Sequence, residues 1–208
     1  MKNRISNFHI FLLVSLAGVF IWSGYAPRDR FTWFLEIIPA ILGLAVLFYT
    51  FPRFRFTNLV YALVWFHCVV LMVGGKYTYG EMPLFEYFKE VFGWTRNNYD
   101  KLGHVVQGFV PALIAREVFI RREAVNGKGY TFFLSVAVPL AFAALYEIFE
   151  WLVAVANGGE KVEAFLGTQG YFWDTQTDLF ACLMASIAAL LLLSRRHDAQ
   201  LRKLGEQF

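Results

Sequence analysis

Residues 130–156 read YTFFLSVAVPLAFAALYEIFEWLVAVA. The run holds two charged side chains, Glu147 and Glu150, and is otherwise apolar apart from small hydroxyls and tyrosines. A stretch this long and this greasy has the composition of a helix crossing a bilayer. About 20 residues at ~1.5 Å each suffice for a hydrocarbon core ~30 Å thick.

Five more apolar runs lie on either side, at residues 8–25, 32–51, 59–75, 99–120 and 175–193. The expected fold is all-α: a polytopic membrane protein, one domain over 1–208 built as a bundle of six transmembrane helices. Composition agrees. Hydrophobic residues make up 58% of the chain and charged residues 17%, against roughly 25% charged in a soluble domain. Mean hydropathy is +0.48. This excludes a disordered, collagen-like or soluble nucleic-acid-binding chain, so no nucleic-acid partner is expected and membrane lipid is. The net charge of +3 is mild. Cys68 and Cys182 both lie inside apolar runs, where thiols act as small hydrophobes rather than as a disulfide pair.

Orientation follows from lysine and arginine. With the N-terminus in the cytoplasm, the inner side holds twelve of the 19 cations, chiefly Arg121, Arg122, Lys128 and the C-terminal segment. Both termini are therefore expected to be cytoplasmic. Lys2, Arg4 and Gly24-x-Ala26 resemble a signal peptide. However, the first apolar run is long and the next follows closely, so it reads as a retained span.

Two outer loops are more than linkers. In 83–93, Leu84, Phe85, Phe88, Val91 and Phe92 recur at helical spacing, with Glu86, Lys89 and Glu90 on another face. This predicts a short interfacial helix in the third loop. In 157–174, Gly158, Gly159, Gly167 and Gly170 surround Ala164, Phe165 and Leu166. That segment is either an ordinary loop or one that dips toward the membrane.

Ionisable groups inside spans are expensive, at about 2.5–3.5 kcal/mol for Asp, Lys or Arg at a helix centre, and they mark function. Asp100, His104 and Gln107 fall at i, i+4 and i+7 on one face of the fourth span. Gly103 and Gly108 leave room there for a neighbouring backbone. Glu147 and Glu150 are one turn apart near the end of the fifth span, and Asp174 and Asp178 one turn apart at the start of the sixth. Because spans alternate in direction, all of these groups share one layer, roughly 5–10 Å below the outer surface. Glu36 of the second span falls in the same layer.

Like charges crowded in low dielectric cannot all stay ionised. A bound cation, shared protons, or pairing with Lys101, His104 and Lys76 would relieve them. One imidazole among oxygen ligands suits Mg²⁺ or Mn²⁺, and Zn²⁺ is also compatible. His104, Glu147, Asp174 and Asp178 are the candidate metal ligands. A metal here would activate water against a phosphoester or acyl bond, with His104, Glu147 and Glu150 as the candidate catalytic groups. Lys101, Gln107 and Gln176 are the candidate substrate-binding residues.

A bland account stands beside this one. Asp100 and Asp174 also read as helix caps, and the layer as interhelical glue. His67 reads as a core histidine, and Arg116 with Glu117 as an interfacial ion pair or headgroup contact. The leading functional expectation is a polar, metal-binding site in the outer leaflet that acts on or binds a lipid or lipid-linked headgroup. The alternatives are a small-solute or ion transporter with a carboxylate relay, and a structural membrane protein.

Three motifs resemble those of the YjdF-type bacterial inner-membrane family. They are Tyr99-Asp100-Lys101-Leu102-Gly103-His104-x-x-Gln107-Gly108-Phe109; Tyr146-Glu147-Ile148-Phe149-Glu150-Trp151; and Gly167-Thr168-Gln169-Gly170-x-x-Trp173-Asp174-Thr175-Gln176-x-Asp178. The resemblance covers nearly the whole chain. It implies a bacterial inner-membrane location and leaves the chemistry open. A looser likeness is to VanZ-like membrane proteins, associated with glycopeptide-antibiotic resistance. It rests on Asp100-Lys101-x-x-His104, on Glu147 and on Asp174. The sequence departs from that pattern at Glu150, where an amide is expected, and lacks the Asn and small-Gly run after the final Asp.

Overall fold

The computed structural model describes residues 5–157 and 168–205. Its elements are α1 (Asn7–Gly24), α2 (Arg30–Thr50), α3 (Asn58–Tyr77), α4 (Pro83–Phe92), α5 (Tyr99–Arg121), α6 (Lys128–Asn157) and α7 (Asp174–Lys203). Among the described residues there is no strand. All of these helices except α4 are long and apolar enough to cross a membrane. The question of a dip in 157–174 falls mostly on residues 158–167, which lie outside the described residues, as do Lys2 and Arg4.

Local signals set the helix ends. Asp29 caps α2, its carboxylate accepting from the Thr32 amide at 2.7 Å. Thr57 caps α3 by accepting from the Val60 amide. Proline opens α4 at its first turn and Gly93 closes it at φ +65°. Lys76 does not join the acid layer. Its ammonium donates to the carbonyls of Trp22 and Tyr25 at 3.1 and 2.7 Å and lies over the Trp22 ring. It thereby satisfies carbonyls that the end of α1 leaves open.

α5 is the centre of the bundle, packed against α3, α6 and most extensively α7. α3 in turn carries α1 and α2. The α5–α7 seam closes at Gly108, where a Cβ would collide with the Cys182 carbonyl. Ser186 Oγ spans the same contact, donating to the carbonyls of Cys182 (2.7 Å) and Gly108 (3.2 Å). Gly103 serves a ring rather than a backbone. The Tyr79 side chain sits in a slot between Gly74 of α3 and Gly103 of α5. Tyr79 follows Thr78 in left-handed backbone, at φ +44° and +56°. That double turn aims the ring back into the bundle. On the opposite flank, the Trp33 and Trp65 indoles donate to Ser23 and Ser15 of α1 at 3.2 and 3.0 Å.

α4 lies along the layer as an amphipathic helix. Leu84, Val91 and Phe92 are exposed, and Phe85 packs edge-on against Tyr99 at 5.2 Å. On its polar side Lys89 pairs with Glu86. That hydrogen bond, more than any other contact, holds the Glu86 carboxyl below its usual range.

α7 extends ten residues beyond the apolar run, through Ser194–Lys203. This charged tail stays helical because its inner face is buried: His197 and Leu201 are both inaccessible to solvent.

Candidate functional site

The first turns of α5 and α7 meet the last turns of α6, and their polar groups converge. Lys101 Nζ donates to Asp174 Oδ1 at 2.6 Å and to Asp178 Oδ1 at 2.7 Å. Arg96, in the loop before α5, donates to the same Asp174 oxygen through one guanidinium nitrogen and to Asp100 at 3.5 Å through another. Tyr171 lies across both cations, with its ring centroid 5.6 Å from Arg96 and 5.8 Å from Lys101. Burial is deep, with Arg96, Asp174 and Asp178 all inaccessible or nearly so.

His104 stands one turn below Asp100 and is 5% exposed. Its Nε2 faces three carboxylates, Glu147 at 3.4 Å, Asp100 at 3.7 Å and Asp178 at 3.8 Å. Its Nδ1 is buried without a hydrogen-bond partner, and so is Glu147 Oε1. The other Glu147 oxygen accepts from Thr175 at 2.8 Å. Glu36 of α2 completes the layer from the far side, accepting from the Tyr146 hydroxyl at 3.3 Å. Glu150 is buried beside Glu147 and Glu36, and its carboxylate makes no hydrogen bond among the described residues.

Most residues expected from the sequence are therefore brought together, with two rearrangements. Asp174 is taken up by Arg96 and Lys101. The donor atoms that cluster within 4.8 Å of one another, close enough to share a metal ion, belong to Asp100, His104 and Asp178. Gln176 is exposed and stands apart. At 100° per residue it lies on the face of α7 opposite Asp174 and Asp178, which the i, i+4 pair itself dictates. Gln107 keeps the His104 face one turn deeper but makes no hydrogen bond among the described residues. Neither Asp100 nor Asp174 is a cap. Those positions fall to Asn98 and Trp173.

Two supports had no sequence signal of their own. Gln169 clamps the chain before α5, donating to the Asn97 carbonyl (2.8 Å) and accepting from its amide (2.9 Å). Asn97 is fully buried and ties that loop to Met82 and Glu86 on α4. Arg96, a loop cation, was findable from charge alone. A layer so rich in carboxylates needs more cation than Lys101 supplies.

The opposite end of α5 and α7 holds a second polar cluster. Glu117 is 0% exposed. It accepts from the Thr57 amide (2.9 Å), the Thr57 hydroxyl (2.8 Å), Arg121 (3.0 Å) and His197 (2.9 Å). Arg116 reaches His197 Nδ1 at 3.1 Å and Asp198 at 2.5 Å. Arginine can only donate, so His197 Nδ1 accepts and its hydrogen sits on Nε2, toward Glu117. Arg116 thus pairs with the last helix, Glu117 pairs with Arg121 one turn on and with Thr57 and His197 from other segments, and the two do not pair with each other.

A bundle of six apolar spans with an acid-rich layer inside it defines a multi-pass membrane protein. The chain belongs to the family described as Predicted membrane protein (DUF2238), whose model matches residues 8–199. It is 42% identical over 192 residues to Inner membrane protein YjdF of Escherichia coli (strain K12), covering 92% of this chain and 91% of that protein. It is accordingly a multi-pass inner-membrane protein. No solved structure matches it. The likeness to VanZ-like proteins stays at the level of the motifs quoted above.

Proposed function

We propose that the acid layer is a divalent-cation site that binds, or acts on, the headgroup of a lipid or lipid-linked molecule in the outer leaflet. Both chain termini would then lie in the cytoplasm. Asp100, His104 and Asp178 would hold the ion, with Glu147 completing the set. Arg96 and Lys101 would steady Asp174 and Asp178 against one another.

The observation that carries this reading is unmet demand. Glu36, Asp100, Glu147, Glu150, Asp174 and Asp178 share a layer with Arg96, Lys101 and His104. Within it, His104 Nδ1 and Glu147 Oε1 are buried without hydrogen bonds. Buried polar groups are nearly always satisfied, and an exception asks for a ligand or a role. An ion held by His104 and carboxylates would supply the missing charge, polarise a phosphoryl or carbonyl oxygen and acidify a bound water. A carboxylate outside the ligand set, Glu150, would be the candidate to take the proton.

Access favours a lipid. The Glu147–Thr175 contact lies at the surface between α6 and α7. It is flanked by Trp151, Phe172 and Trp173, which are 60%, 84% and 56% exposed. Aromatic side chains of this kind sit at headgroup depth. A headgroup would reach the layer sideways from the membrane.

The test is elemental analysis of the protein in mild detergent, beside His104→Ala, Glu147→Gln and Asp178→Asn. Near-stoichiometric Mg²⁺, Mn²⁺ or Zn²⁺, lost in His104→Ala and Asp178→Asn, is the expected result. Metal-free protein after soaking in all three ions overturns the cation reading.

A further inference from the structure

The end of the bundle opposite the acid layer holds a cleft of about 590 Å³. It lies between the α2–α3 turn, the last turn of α5 and the last turn of α7. Among the described residues that line it, four are cations, namely Arg53, Arg55, Arg121 and Lys203, and none is acidic. They come from three separate chain segments, so the accumulation is a product of the fold and not of one basic run. Arg121 also pairs with the buried Glu117. That offsets its charge, so the exposed Arg53 and Lys203 are the cations most open to a ligand.

The cleft is more than a basic surface. The polar side chains of Asn58 and Gln200 complete its lining. The start of α3 forms part of its wall through Thr57 and Asn58, and the Thr57 and Leu59 amides there are held by Glu117 and Gln200. Gln200 fixes the geometry by accepting from the Leu59 amide at 2.9 Å. Phe54 is stacked under two guanidinium groups, with Arg121 at 4.1 Å and Arg122 at 5.0 Å, which makes a rigid floor beside the cleft. Its volume falls in the range of small-molecule sites, ~300–1,000 Å³.

We propose that this cleft binds a phosphate-bearing anion. The spans end at this height, where phospholipid headgroups lie, and Phe48 and Tyr49 of α2 are exposed beside it. They give an acyl chain a surface to run down. Basic pockets at span ends take anionic headgroups in this way. The source of the phosphate is then an anionic lipid, or a soluble phosphate compound reaching the same cations.

Native mass spectrometry of the full chain in detergent separates these outcomes. The probes are phosphatidylglycerol, phosphatidylcholine of matched chains, and inorganic phosphate. The expected result is one saturable phosphatidylglycerol adduct, preferred over phosphatidylcholine by about tenfold or more. Arg53→Gln/Lys203→Gln abolishes the preference. Arg195→Gln/Arg196→Gln, a charge-matched control at exposed positions outside the cleft, keeps it. Phosphate that binds in competition with the lipid supports the site and its phosphate chemistry. Phosphate binding without a lipid preference, lost in the same double variant, assigns the site to a soluble compound. Equal binding of both lipids with no phosphate effect overturns the proposal, and so does an unchanged preference in the double variant. Arg53 and Lys203 are exposed, so both substitutions leave the fold intact. Arg53→Gln alone carries the same reading should the double variant melt early.

Discussion

At one end of α5, the two oxygens of Glu117 collect hydrogen bonds from Thr57, Arg121 and His197. At the other end, one oxygen of Glu147 and one nitrogen of His104 collect none. The same two helices, α5 and α7, build both clusters, roughly 25 Å apart at 1.5 Å per residue between Asp100 and Glu117. The first is closed, with each acid matched by donors on another helix. The second is open, with more carboxylates than cations. A closed network rigidifies a fold, whereas an open one keeps a stability deficit that a ligand can recover. That difference is what the proposed cation site would exploit.

Mutations can break that comparison. Glu117→Ala should have the largest effect. It strips Arg121 of its carboxylate and leaves the buried Thr57 amide and His197 Nε2 without their acceptor, a loss of about 3–5 kcal/mol, seen as a collapse in yield and a large drop in melting temperature. Lys101→Met strips Asp174 and Asp178 of the ammonium they share. It should cost about 3 kcal/mol in the absence of metal, and millimolar Mg²⁺ or Mn²⁺ should raise the variant's melting temperature more than that of the wild type. No shift in either protein would mean that the layer has no use for a cation.

Glu147→Gln sharpens the contrast. Having no hydrogen bond on one oxygen, it should lose less than about 1 kcal/mol while weakening bound metal. If it destabilises as much as Glu117→Ala, the layer is interhelical glue and the two ends are alike. Gln176→Ala should change neither, staying within about 0.5 kcal/mol with metal content intact, because the residue is exposed on the far face of α7.

The spans were legible because a bilayer imposes length and apolarity on every crossing helix, and residues 130–156 alone carry both. The end of α7 was not legible in that way. Residues 194–203 hold arginines, an aspartate and a lysine, and their helicity depends on the burial of His197 and Leu201 against other helices. The acid layer was legible as a shared depth, since antiparallel spans convert sequence position into height. Its wiring was not. Arg96 finds Asp174 across 78 residues, and Gln169 finds Asn97 across 72. Such contacts are decided by packing and leave no local pattern. Glu117 was misread for the same reason, its histidine partner lying 80 residues away. Gln176 failed on face arithmetic that the sequence itself contains.

The Lys101–Asp178 contact has a consequence for how the molecule is made. Both clusters are completed by the final helix: Asp174 and Asp178 at its start, His197 and Asp198 near its end. During synthesis Lys101 and Glu117 leave the ribosome more than 70 residues ahead of these partners. For that interval α5 carries both side chains into the insertion machinery without them. Emergence of α7 therefore supplies the missing partners at both ends of an already inserted helix. A nascent chain arrested before Asp174 should remain exposed to membrane quality-control proteases, and one released after Lys203 should not.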